Sequence, residues 1–154
     1  MAHYLTTLTV PAPAPVAFDA IARFSDATRW DPLVTRARML TAEPVGLGSR
    51  FELVVSWLGL EQALVYELTA FEPGKRLELV AETEGFRSHD TVTVAPGPGA
   101  AQCTVSYEAR IELRGLRRLG DPLLHLAFQV IGRRSEAGLR RFLGELGAAA
   151  VDVT

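Results

Sequence analysis

DPLLHLAFQVIGRRSEAGLRRFLGELG, residues 121–147, reads as one long amphipathic helix. Asp121 suits the N-cap, and Pro122 takes the first helical position, where a missing N–H costs nothing. Leu124, Ala127, Phe128, Ile131, Ser135, Gly138, Leu139, Phe142 and Leu146 recur at helical spacing and define one face. Arg133, Arg134, Glu136, Arg140 and Arg141 fall mostly off that face. At about 1.5 Å per residue the helix would extend about 40 Å, enough to cross a small domain. Nearly everything before it carries strand patterning, so the apolar face predicts a sheet curled around the helix.

The first strand is expected over residues 3–10, with Tyr4, Thr6, Leu8 and Val10 on one side. PAPAP, residues 11–15, ends it, because proline cannot donate to a ladder. Val16, Ala20, Ile21 and Phe24 have helical spacing, which predicts a short helix opened by Pro15 and ending near Arg23. Ser25 or Asp26 can cap a second short helix that carries Trp30 and stops at Pro32. Strands then alternate with turns. Residues 34–42 lead to a glycine-bearing turn at 44–48, and Phe51, Leu53, Val55 and Trp57 share the inner side of the next strand. Leu58, Gly59 and Leu60 make a hairpin into residues 61–71, where Leu64, Tyr66, Leu68 and Ala70 share one side. EPGK, residues 72–75, is a turn before Leu77, Leu79 and Ala81. Residues 86–94 form a further strand. The last has the cleanest alternation, with Cys103, Val105, Tyr107, Ala109, Ile111 and Leu113 facing one way. Residues 115–120 link it to the long helix, and short turns between consecutive strands imply an antiparallel meander.

The chain has 154 residues, 48% hydrophobic and 22% charged, which suits one folded domain over residues 1–154. A net charge of −2 without long charge runs gives no electrostatic case for nucleic acid. The pairs Arg117–Arg118, Arg133–Arg134 and Arg140–Arg141 read as solvated positions. The lone Cys103 cannot form an intramolecular disulfide and reads as a small buried hydrophobe. The N-terminal residues lack a basic region followed by an apolar run, and no stretch approaches the roughly 20 apolar residues of a membrane span, so a cytoplasmic location is expected. His3, His89 and His125 are dispersed without metal-ligand spacing, and no phosphate-binding, dinucleotide or nucleophile-elbow motif occurs. No metal or cofactor is therefore expected.

Strand, two short helices, six strands and a long helix is the order of the helix-grip fold. The chain resembles the START-like, Bet v 1-like SRPBCC superfamily, in particular its bacterial polyketide cyclase/dehydrase-type members. The resemblance rests on PAPVAF (13–18), WDP (30–32), VGLGSRF (45–51), FEPGKRL (71–77) and the helix begun by Pro122. It implies an α+β fold, a curved antiparallel sheet of six or seven strands around the C-terminal helix, and an elongated cavity between the two.

Candidates to face such a cavity are Trp30, Trp57, Tyr66, Leu79, Phe86, Tyr107, Ile111, Leu124, Phe128 and Ile131. Each also has a plain packing role open to it. A buried phenol at Tyr66 or Tyr107 needs a hydrogen-bond partner, and Trp30 can anchor the short helices or edge the cavity. In SHDT, residues 88–91, neighbouring side chains point to opposite faces. If Val92 and Val94 face inward, Ser88 and Asp90 do so too; if Thr91 and Thr93 do, His89 does. The first register is preferred, which adds Asp90 to the candidates and makes Asp90 and Tyr107 the groups available for acid/base work. The preferred function is binding of a small, largely apolar molecule (lipid, polyketide or isoprenoid-like); the alternatives are a polyketide cyclase/aromatase-type enzyme and a protein-interaction module. Oligomeric state is open between monomer and homodimer.

Overall fold

A computed structural model describes residues 1–99, 101–115 and 121–152. Its elements are β1 (Ala2–Val10), α1 (Ala14–Ala22), a 3-10 helix (Phe24–Arg29), β2 (Val34–Met39), β3 (Arg50–Trp57), β4 (Leu60–Glu72), β5 (Arg76–Glu82), β6 (Phe86–Pro96), β7 (Cys103–Leu113) and α2 (Asp121–Asp152). Arg117–Arg118, all but the first residue of the 115–120 link, and the side chain of Asp121 lie outside the described residues.

The seven strands form one sheet in the order β1-β7-β6-β5-β4-β3-β2. Strands β2 to β7 are the expected meander, each antiparallel to the next, and β1 returns to pair with β7 along its whole length. Strands β1 and β2 are thus opposite edges, and α1 with the 3-10 helix carries the chain between them. The helices follow from local chemistry. Proline occupies the first turn of α1, where no donor is needed, and Ala17, Phe18, Ile21 and Ala22 form its buried side. The second short helix is 3-10 rather than α, with no side-chain cap from Ser25 or Asp26, and Trp30 stands at its C-terminal end.

The inner face of the sheet follows the sequence alternation with one correction. Leu64, Tyr66 and Leu68 of β4 are buried, but the register shifts between Leu68 and Ala70. Beyond that bulge the side chains change phase: Ala70 lies opposite Glu78, and Phe71 lies opposite the buried Leu77 with its ring 5.6 Å from Phe18. Phe71, not Ala70, therefore continues the inner face.

Helix α2 does two things along its length. Its C-terminal half closes the core, with Leu139, Phe142 and Leu143 at most 2% exposed, each contributing about 1.5–3 kcal/mol by burial. Two glycines permit that closeness. A Cβ at Gly138 would overlap the Trp30 carbonyl oxygen, and one at Gly147 the Pro11 carbonyl oxygen, so helix backbone meets loop backbone directly. The N-terminal half is held to the edge strand instead: Gln129 donates to the His3 carbonyl at 2.8 Å, and the Tyr4 hydroxyl donates to Glu136. Between this half and the sheet the packing is incomplete.

Candidate functional site

A cavity of about 290 Å³ lies under the N-terminal half of α2. Its roof is Leu124, Ala127, Phe128, Ile131, Gly132 and Ser135 of α2, and its floor comes from the inner faces of β1, β3, β4, β6 and β7. Of the side chains expected to face such a space, Trp30, Trp57, Tyr66, Phe86, Asp90, Tyr107, Ile111, Leu124, Phe128 and Ile131 all line it. Leu79 does not. It points inward as its alternation required, but it is fully buried in the aliphatic core with Leu68 and Leu77, away from the space. Trp57, 42% exposed at the end of β3, marks where the lining reaches solvent.

One set of polar groups gathers on β6 and β7. Strand β6 turns Ser88, Asp90, Val92 and Val94 inward, all buried, and leaves His89 outside, 2.8 Å from Glu78. Asp90 lies opposite Ala109 of β7, two residues from Tyr107 on the same inner face. The Tyr107 hydroxyl donates to Asp90 Oδ2 at 2.7 Å. The Tyr66 hydroxyl donates to Ser88 Oγ at 3.1 Å, and Ser88 Oγ reaches Asp90 Oδ1 at 3.4 Å. Both tyrosines thus have the partners a buried phenol requires, and they form one chain with the carboxylate.

Electrostatics follow from burial. Removal from water pushes the Asp90 carboxyl up to about 6, helped by the nearby Asp31 carboxylate and opposed by the hydrogen bonds from Tyr107 and Ser88. Burial also pushes the Tyr66 and Tyr107 hydroxyls well above the ordinary phenol range. Tyr4 is raised to about 12, by burial first and by its bond to Glu136 second.

Several lining residues carried no advance signal as site residues. Tyr4 and Thr6 share one side of β1 with Leu8 and Val10, and nothing in the sequence distinguishes them from core. Glu136, assigned mostly to the outer side of α2, is half-buried at the cavity edge because Tyr4 reaches it. Asp31 and Ser135 face each other across the cavity wall: Ser135 Oγ donates to Asp31 Oδ1 at 3.1 Å, and the Leu33 amide donates to the same oxygen at 3.0 Å. A serine on an otherwise apolar helix face was the available sign. Trp30 serves both roles foreseen for it. Its ring packs on Phe24 and Tyr107 at 6.1 and 5.8 Å and also lines the cavity. Its indole N–H is the one buried side-chain polar atom without a hydrogen-bond partner among the described residues. Cys103 is fully buried in the core, with its thiol pushed up by burial. No group of side chains able to hold a metal occurs among the described residues, and no described helix is long and apolar enough to cross a membrane.

Solved structures share this architecture. A protein of Thermus thermophilus superposes with a TM-score of 0.75 at 18% identity, covering 96% of this chain and 98% of that one. The Zhui aromatase/cyclase of Streptomyces sp. R1128 gives 0.73 at 15% identity, over 99% and 95% of the two chains. A START superfamily protein of Mycobacterium smegmatis gives 0.64 at 16%, over 89% and 99%. At such identities the likeness establishes the fold alone. No curated protein matches the sequence. The family model described as "Polyketide cyclase / dehydrase and lipid transport" matches residues 1–147, a span that takes in all seven strands and nearly all of α2. By that match the chain belongs to the polyketide cyclase/dehydrase and lipid transport family of the SRPBCC superfamily.

Proposed function

We propose that the protein binds a small, largely apolar molecule, of lipid, polyketide or isoprenoid-like character, in the cavity between the sheet and α2. The observation that carries this reading is the cavity itself: about 290 Å³, walled largely by aromatic and aliphatic side chains, with polar groups at Asp90, Asp31 and Glu136. That is the usual form of a small-molecule site, and its volume suits a compact ligand. A chain built only to dock other proteins has no need of such a space. The family description, which names both lipid transport and polyketide cyclisation, supports the reading. A cytoplasmic setting, where a buried lone thiol such as Cys103 stays reduced, accords with it.

A second reading, a cyclase/aromatase-type enzyme, is favoured by one observation, the 2.7 Å bond between Tyr107 and Asp90 inside the cavity. A carboxyl lifted to about 6 sits close enough to neutrality to take a proton from carbon next to a carbonyl. Tyr107 fixes its orientation, and the apolar walls hold a reactive chain folded for ring closure.

Native mass spectrometry of the purified protein, before and after denaturation, tests the binding reading. A co-purified small molecule that is absent from an Ala109→Phe variant, whose new ring fills the floor of the cavity, is the expected result. A protein that carries nothing and gains no mass on incubation with lipid and polyketide extracts would count against it.

A further inference from the structure

The charge lining the cavity is of one sign among the described residues. Asp31, Asp90 and Glu136 contribute to its wall, and no described lysine, arginine or histidine does. Glu136 is neutralised from outside, with Arg140 at 3.4 Å. Asp31 and Asp90 have no ion-pair partner among the described residues; His89, next to Asp90 in sequence, is on the other side of the sheet and occupied by Glu78. Removing a carboxylate from water without a cation is costly, and here two are placed on one small space.

Both carboxylates retain acceptor capacity. An ionised carboxylate offers about four lone-pair positions. Asp90 uses one on each oxygen, for Tyr107 and Ser88. Asp31 takes both of its bonds, from Leu33 and Ser135, on Oδ1, and its Oδ2 accepts none from the described residues. Around them stand Trp30, Tyr66, Tyr107 and Phe128. Aromatic faces attract a positive charge through their quadrupole, most strongly when water is excluded. A carboxylate or phosphate head would meet repulsion and no basic partner among the described residues, whereas an ammonium would meet acceptors and ring faces together.

We propose that the cavity is selective for an organic cation: an apolar body bearing a protonated amine, seated between Asp90 and Asp31, in preference to a carboxylate or phosphate of the same body. The inference rests on the ligand-binding reading above and specifies the head group that reading left open. It also gives the buried Asp90 and the half-buried Asp31 a physical reason, since the ligand supplies the charge that the described wall lacks.

Three probes of one shape separate the inference from the reading beneath it: 2-(1-naphthyl)ethylamine, 2-(1-naphthyl)ethanol and 1-naphthylacetate, titrated calorimetrically at about pH 8 in low salt. The amine should bind about tenfold or more tighter than the alcohol, a difference of about 1.4 kcal/mol, and the acid should bind weakest. In Asp90→Asn and, separately, Asp31→Asn, the amine's advantage over the alcohol should shrink at least threefold while the alcohol still binds. The Asp31 variant keeps the test available should the Asp90 variant not fold. Alcohol and acid binding as tightly as the amine would overturn the cation assignment and leave an apolar-ligand protein standing. An amine preference unchanged in both variants would overturn the placement of the charge at these carboxylates. Failure of all three probes to bind would count against the ligand-binding reading, and the inference would fall with it.

Discussion

Tyr107 and Asp90, on neighbouring strands, share a 2.7 Å hydrogen bond inside a cavity whose wall has no basic side chain among the described residues. The carboxylate is held by hydroxyls instead of by charge, and hydroxyls only partly offset its loss of hydration. The folded chain therefore binds a proton at Asp90 more readily than the unfolded chain does.

That difference fixes the sign of a pH effect. Asp90 is raised from 3.8 to about 6, by burial above all, with Asp31 adding to the rise and Tyr107, Ser88 and His89 opposing it. Between those values the native state holds more protons than the unfolded state, so stability falls as pH rises through the window. The full loss is about 3 kcal/mol. Replacing Asp90 by Asn removes the titration. The difference in unfolding free energy between Asp90→Asn and wild type, from urea melts at several pH values, should grow in the variant's favour from about pH 4 to about pH 7. The contributions of Glu78, Glu108 and Glu136, whose carboxyls are held low by their partners, cancel in that difference. A difference that stays flat across the window would refute the assignment.

The hairpin between β3 and β4 offers a separate test. Leu58 and Gly59 are its two central residues, with φ of +50° and +80°, and Trp57 lies directly opposite Leu60. Positive φ at both positions suits the twist of the flanking strands but crowds the Cβ of leucine. Leu58 is 84% exposed, so little burial is lost by replacing it. Leu58→Asn should raise the unfolding free energy by about 0.5–1 kcal/mol, since asparagine tolerates this conformation better. A thermal midpoint that is unchanged or lower would show that the turn is not strained at Leu58.

How much of this was legible depends on what a linear pattern records. Alternation separates the two faces of a strand, so Cys103 to Leu113 and the inner side of β6 could be read, the latter once Val92 and Val94 were taken as core. Helical spacing likewise gave most of the buried stripe of α2, but not Leu143, which is fully buried. The bulge after Leu68 has no residue signature, and it moved Phe71 into Ala70's expected place. Leu79 shows a deeper limit. Inward orientation does not distinguish solid core from cavity wall, because the gap depends on how far α2 stands from each part of the sheet. Asp31 with Ser135 was hidden for a related reason: the two are 104 residues apart, and only the seating of α2 brings them together.

That seating is set where α2 crosses the end of the 3-10 helix, and glycine there can be tested against itself. In a helix interior alanine is favoured over glycine by about 1 kcal/mol, so propensity alone makes any Gly→Ala change in α2 stabilising. At Gly144 a Cβ meets nothing within 4 Å, and Gly144→Ala should follow propensity and gain up to about 1 kcal/mol. At Gly138 the same atom would overlap the Trp30 carbonyl oxygen, which is backbone and cannot rotate aside. Gly138→Ala should therefore lose about 2–4 kcal/mol, the overlap exceeding the propensity gain. Trp30 and Asp31 are attached to the backbone that must give way, and both line the cavity. Binding of an apolar amine should consequently weaken in Gly138→Ala and stay at the wild-type level in Gly144→Ala. Equal stability changes of the same sign in the two variants would show that helix propensity, not the contact with Trp30, governs this part of α2.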